Sequence, residues 1–159
     1  MSKLAISGGK PTRDTQTNPW HPWPVWDKNE ERSLLEVLNS GIWSYNGVKE
    51  RAFNKAFAAY NGVAYSICAA NGTVTLQLAL EALGVGFGDE VILPGLTWQA
   101  TAATIADVNA VPVLVDVEED TWCIDPKKVE EAITSRTKAI IPVHLYGNFS
   151  DMDAILEIA

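Results

Sequence analysis

Apolar residues recur every three or four positions in two early stretches, and then give way to short unbroken apolar runs separated by helical patterns. Asp27 followed by Glu30 is a capping-box-like start, and Leu34, Leu35, Val37 and Leu38 carry a helix to a stop at Gly41. A second helix has Val48, Ala52, Phe53, Ala56, Phe57 and Tyr60 on one face and ends at Asn61-Gly62. From there the pattern alternates. Residues 64–69, 90–94, 111–117 and 138–145 read as strands; residues 73–83, 97–109, 126–134 and 150 onward read as helices. Runs such as Val-Ile-Leu and Val-Leu-Val indicate burial on both faces, as in a parallel sheet. Four β–α units joined by short connections predict a doubly wound α/β domain.

Residues 1–26 break this rhythm. Gly8-Gly9, Pro19, Pro22 and Pro24 predict an extended arm, because each proline removes a donor and biases its predecessor away from helix. Trp20, Trp23 and Trp26 are costly to leave in water and are expected to pack on this domain or on a partner subunit. At the other end, Ser150 reads as the N-cap of a helix with Asp151 and Asp153 in its first turn. No glycine cap or following strand appears before Ala159, so the pattern predicts a chain cut within its α/β domain.

Composition narrows the function classes. The 159 residues suffice for one domain, and 47% apolar with 20% charged residues is ordinary for a globular chain. A net charge of −8 argues against a nucleic-acid surface, which needs clustered basic residues. Cys68 and Cys123 have neither CxxC nor metal-ligand spacing, and two thiols in apparent core segments fit a reducing cytoplasm. No apolar stretch reaches the roughly 20 residues of a membrane helix. Two Asn-x-Ser/Thr sequons, at Asn71 and Asn148, lack any accompanying secretion signal.

In an open α/β sheet, ligands bind beyond the carboxyl ends of the strands. Asn71-Gly72-Thr73 opens a helix directly after an apolar run: glycine allows close approach, threonine adds a hydroxyl, and the helix start exposes N–H groups. Those parts suit a phosphate, although a plain strand-to-helix turn with an Asn or Thr cap has the same sequence. Trp98, in the first turn of the next helix, is placed either to stack on a flat heteroaromatic ring or to pack on its own helix. His144 ends a strand and reads as a structural residue or a site group. Asp116 is an N-cap or loop ligand, and Asp120 joins Glu118 and Glu119 in a solvated acidic face. No GxxxxGK[ST] occurs, and Gly84-Val85-Gly86-Phe87-Gly88 follows a helix and precedes a strand, the wrong order for a dinucleotide loop.

Taken in order, Asn71-Gly72-Thr73, the segment 84–92, Thr97-Trp98-Gln99-Ala100-Thr101, the segment 137–147 and Asp151-Met152-Asp153 resemble the DegT/StrS family of pyridoxal-phosphate-dependent sugar aminotransferases, which includes cyclitol aminotransferases and aminohydroxybenzoate synthases. The resemblance implies part of a three-layer, mainly parallel fold type I large domain, cut after about four strands. It assigns residues 1–26 to an arm and 27–159 to the front of the cofactor domain. It also implies a homodimer with active sites at the subunit interface. In the match, Asn71, Gly72 and Thr73 hold the phosphate of pyridoxal 5'-phosphate, Trp98 stacks on its ring, and His144 lies close by. Gly41-Ile42-Trp43-Ser44-Tyr45 resembles the substrate-side loop, making Trp43 and Tyr45 candidate contacts to a keto-sugar or keto-cyclitol, with interface packing as the alternative. The amino donor in this family is often glutamate or glutamine.

The family's pyridinium-pairing aspartate and Schiff-base lysine map beyond Ala159. Lys138 falls in a strand, and Lys10, Lys127 and Lys128 match nothing catalytic, so this chain alone is expected to be inactive. Two other readings stay open: a relative with histidine in place of that lysine acting as a sugar dehydratase, and a non-enzymatic α/β module binding a phosphorylated ligand or a partner.

Overall fold

The computed structural model describes residues 3–45 and 47–159, and the chain divides into two units between Ser66 and Ile67. The first unit opens with a single 3-10 turn, Ala5–Ser7, and an irregular arm in which the Arg13 guanidinium lies 4.0 Å from the ring centre of Trp20. Trp20, Trp23 and Trp26 are exposed, so the packing expected for them on this domain is not made. Pro19, Pro22 and Pro24 keep the segment out of helix and ladder, which leaves the indoles without a regular element of their own to cover them.

Helix α1 (Lys28–Ser40) begins with a true capping box. The Asp27 carboxylate accepts the N–H of Asn29 at 2.6 Å, and Glu30 accepts the N–H of Asp27 at 2.7 Å. Gly41 ends the helix at φ 69°, a left-handed conformation that glycine adopts without strain. Helix α2 (Val48–Asn61) stacks Phe53 on Phe57, with ring centres 5.5 Å apart, one helical turn of spacing.

The second unit contains α3 (Gly72–Ala82), β1 (Glu90–Pro94), α4 (Gln99–Asp107), β2 (Val111–Val115), α5 (Pro126–Ala132), β3 (Thr137–Ile140) and α6 (Met152–Ile158). The three strands are parallel in the order β2-β1-β3, with Glu90 opposite Val111 and Thr137. Alternation along β1 feeds two cores. Val91 and Leu93 meet Leu80, Val85, Ile105 and Val108 on the side of α3 and α4. Ile92 meets Val115, Ile124, Val129 and Ile155 on the side of α5 and α6. Helices therefore cover both faces, and the three-layer α/β architecture stands.

Three expectations change. Residues 64–69 form no strand: no described strand runs alongside to take their hydrogen bonds, and Tyr65 and Ile67 are exposed. Cys68 is consequently exposed, whereas Cys123 is buried as expected. Among the described residues the sheet has three strands in place of the four expected. The third strand is also shorter than 138–145. After Ile140 the chain leaves the ladder and forms a tight turn at Leu145–Gly147, where Tyr146 takes φ 52°. Finally, the cap of α6 is Asp151, whose carboxylate accepts the Ala154 N–H at 3.0 Å; Ser150 is drawn away by bonds to β3's extension.

At the amino edge of the sheet, far from the ligand edge, the buried Glu90 carboxylate accepts from the Thr134 hydroxyl at 2.5 Å and from the Arg136 guanidinium. The Thr134 hydroxyl first, then Arg136, hold this carboxyl below the ordinary glutamate range. A carboxylate with a lowered folded-state pKa stabilises the fold above its unfolded value, and that contribution is lost as pH falls through the folded value. Glu90→Gln should therefore lower Tm by several degrees at pH 7, and the gap to wild type should close below about pH 4.3. Melting curves at pH 7 and pH 3 check this; an equal gap at both would rule it out.

Candidate functional site

Helix α3 leads into β1 through a short connection and runs back past it, so its first turn faces the carboxyl edge of the strands. Asn71 is its N-cap. The Asn71 side-chain oxygen accepts the Val74 N–H at 3.0 Å, and its carbonyl accepts the Thr75 N–H at 3.1 Å. The N–H groups of Gly72 and Thr73, and the Thr73 hydroxyl, have no partner among the described residues. A Cβ added to Gly72 would meet nothing within 4 Å, so the space before this turn is open. Two backbone donors, one hydroxyl and the positive end of an 11-residue helix are the donor set of a phosphate dianion, and they fit that group. Asn71 thus uses its side chain on the helix and presents the turn, while Gly72 and Thr73 carry the open donors.

Trp98 is the N-cap of α4, in extended conformation and without a side-chain cap bond. A Thr97–Thr101 hydroxyl pair 2.9 Å apart fastens the helix start behind it. The indole is 79% exposed, so it does not pack on the apolar face of its own helix and keeps a ring face available. Because β1 is the central strand, its carboxyl end carries Trp98 to the middle of the sheet edge, between the connections that follow β2 and β3.

His144 lies on the β3 side of that edge. Its Nδ1 accepts the Ser150 N–H at 3.0 Å, and its ring tilts against Phe149 with centres 5.2 Å apart. Asp116 is not an N-cap: its carboxylate accepts the N–H of Val117, and its carbonyl accepts that of Asp125, which itself caps α5. Asp120 is exposed, as read from the acidic run. The connection after β2 closes on itself through the Val117–Ile124 bridge and is tied to the one after β3. In that tie the Asn148 amide donates to the Thr121 carbonyl at 2.9 Å, and Trp122 meets Tyr146 edge to face. Nothing local in the sequence announces this tie, since its partners are far apart along the chain.

Trp43 and Tyr45 belong to the first unit. The Trp43 indole N–H donates to the Leu38 carbonyl at 3.0 Å, closing the end of α1, and Trp43 lines a cavity of about 420 Å³ with Glu36, Val37, Ile42, Val48 and Lys49. Lys49 pairs with Glu36 there and holds that carboxyl below its usual range. Tyr45 is exposed. The remaining lysine of interest, Lys138, is the extra residue of a β-bulge between Thr137 and Ala139, outside the ladder.

Residues 24–159 match the DegT/DnrJ/EryC1/StrS aminotransferase family. This chain belongs to that family. Pyridoxal phosphate is the family's cofactor. An L-glutamine:2-deoxy-scyllo-inosose aminotransferase from Streptomyces paromomycinus is 51% identical over 98% of this chain, which spans 38% of that relative's length. Among solved structures, 3-amino-5-hydroxybenzoic acid synthase superposes with a TM-score of 0.84 at 40% identity, over 87% of this chain and 36% of that one. The Bacillus subtilis protein NtdA, with bound cofactor PMP, gives a TM-score of 0.78 at 43% identity, over 81% of this chain and 29% of that one. The fold is that of the fold type I aminotransferases. Among the described residues, no helix is long and apolar enough to cross a membrane.

Proposed function

We propose that residues 27–159 are the phosphate- and ring-binding part of the cofactor domain of a cytoplasmic, homodimeric aminotransferase acting on a keto-cyclitol or keto-sugar, with residues 1–26 as an arm that packs on the partner subunit. Glutamine is the amino donor this reading favours, and the relative named for L-glutamine and 2-deoxy-scyllo-inosose supports both substrate choices. One observation carries it: an open helix start with uncommitted donors at Gly72 and Thr73 shares a sheet edge with an exposed indole at Trp98.

In this reading Gly72 and Thr73 anchor the phosphate, Asn71 sets the turn that presents them, and Trp98 covers one face of the ring and excludes water from it. Trp43 and Tyr45 contribute to the acceptor side. When bound, the cofactor's pyridine ring supplies the electron sink for exchange of an amino group. The chain's own share of catalysis is orientation: fixing phosphate and ring at once converts a mobile cofactor into one with a single usable face.

Pyridoxamine phosphate, which needs no lysine to bind, tests this. Titrated into the nitrogen-15-labelled chain, it should move the Gly72 and Thr73 amide signals and the Trp98 indole signal. Pyridoxamine, lacking the phosphate, should bind at least about tenfold more weakly, a difference of about 1.4 kcal/mol. Equal affinity for both, or shifts confined to other residues, would overturn the assignment.

A further inference from the structure

Ser150 is one of the few buried polar residues, at 4% exposure, and it is committed twice. Its hydroxyl donates to the Val143 carbonyl at 3.2 Å and its backbone N–H donates to His144 Nδ1 at 3.0 Å. Asp151 caps α6 immediately afterwards, through the Ala154 N–H, so the backbone of Ser150 is fixed from the helix side as well. Phe149 packs against the imidazole at 5.2 Å.

A backbone N–H can only donate. Nδ1 of His144 must therefore hold its lone pair toward Ser150, and the single proton of the neutral ring resides on Nε2. Nε2 has no partner among the described residues, and His144 is exposed. The nitrogen left available is thus a donor with no lone pair to offer, which rules out proton abstraction by this ring in this state.

We infer that Ser150 is a positioning residue that locks His144 as a one-proton donor, and that the donor's ligand is an anionic oxygen of the cofactor, on its phosphate or on its pyridine ring. This rests on the reading of the Gly72–Thr73 turn as the phosphate site. It gives His144 a defined part in place of mere proximity: it accepts no proton, orients an oxygen, and owes its state to a residue six positions away.

The chain has two histidines, so His21→Gln leaves a single imidazole to observe. Nitrogen-15 spectra of the neutral ring should show His144 as the Nε2–H tautomer alone, with a coupling across the hydrogen bond between the Ser150 amide nitrogen and Nδ1. Ser150→Ala keeps the N–H and should keep the tautomer. A mixture of tautomers, or no such coupling, would overturn the lock. Three ligands then separate the oxygen sources. A His144 Nε2 shift with pyridoxamine phosphate and inorganic phosphate supports a phosphate contact; a shift with pyridoxamine phosphate and pyridoxamine supports a ring-oxygen contact. If Gly72 and Thr73 respond to pyridoxamine phosphate while His144 does not, the donor role is wrong and the phosphate site stands. If none of the three responds, the phosphate site fails and the donor role with it.

Discussion

Leu93→Ala should cost this chain about 2–5 kcal/mol of folding free energy, whereas Leu114→Ala should cost less than about 0.5 kcal/mol. The two leucines sit opposite each other in the β1–β2 register, in the same parallel sheet. They differ in what covers them. Leu93 is 0% exposed among Leu80, Val91 and Ile105, while Leu114 is 63% exposed. Removing Leu93 leaves a cavity lined by side chains from α3 and α4 that cannot collapse without moving a helix, and this places it toward the costly end of the range. Against a typical total of about 5–15 kcal/mol, such a loss removes a large share of the stability. Urea melts followed by circular dichroism measure both variants. Comparable losses at the two positions would show that strand membership, rather than burial, sets the energetics.

The second large effect is on binding and carries the opposite sign for stability. Gly72 is the first residue of α3, and a Cβ there meets open space. Gly72→Asp should raise helix stability by about 0.3–1 kcal/mol, because a carboxylate in the first turn faces the positive end of the helix dipole. The same carboxylate takes the N–H groups meant for phosphate and repels the dianion. Affinity for pyridoxamine phosphate should fall by at least about a hundredfold, or roughly 2.7 kcal/mol. Calorimetric titration together with a melting curve reads both effects on one sample. A more stable protein that binds as before would remove the phosphate from this turn, and Gly72→Ala, with only a methyl group in the same space, separates crowding from charge.

The parts that were legible from sequence are those that local chemistry decides. Asp27 with Glu30, Gly41 and Gly62 fix both early helices through caps whose partners lie within four residues, and the structure makes each of them. The order of helices and strands after residue 70 follows from apolar runs too short for helices. What the pattern could not supply is pairing. Residues 64–69 and 111–115 are similarly apolar, yet the first group forms no ladder and the second pairs with β1, because a partner strand is a property of the whole chain. Burial within β2 was overread for the same reason: as an outer strand it leaves Leu114 uncovered. At the site, the turn at Asn71–Thr73 was readable because an Asn-Gly-Thr helix start is a local device. The role of Ser150 was not. A serine before two aspartates looks like a cap, and only the structure shows its hydroxyl donating to the Val143 carbonyl and its N–H to His144 while Asp151 makes the cap.

Of the three described strands, the one made first is the one that lies between the other two. When β1 emerges, both of its edges are bare. The helices before and after it can close over Val91 and Leu93 early, since Leu80 and Ile105 lie close in sequence. Ile92, on the other face, waits for Val129 and Ile155, which follow only after the next two strand and helix segments begin. The order of synthesis thus becomes an order of covering, and the nascent chain passes through a stage with one finished face and one sticky one. It is on that late face, and not at the ligand edge, that a chaperone would find this protein.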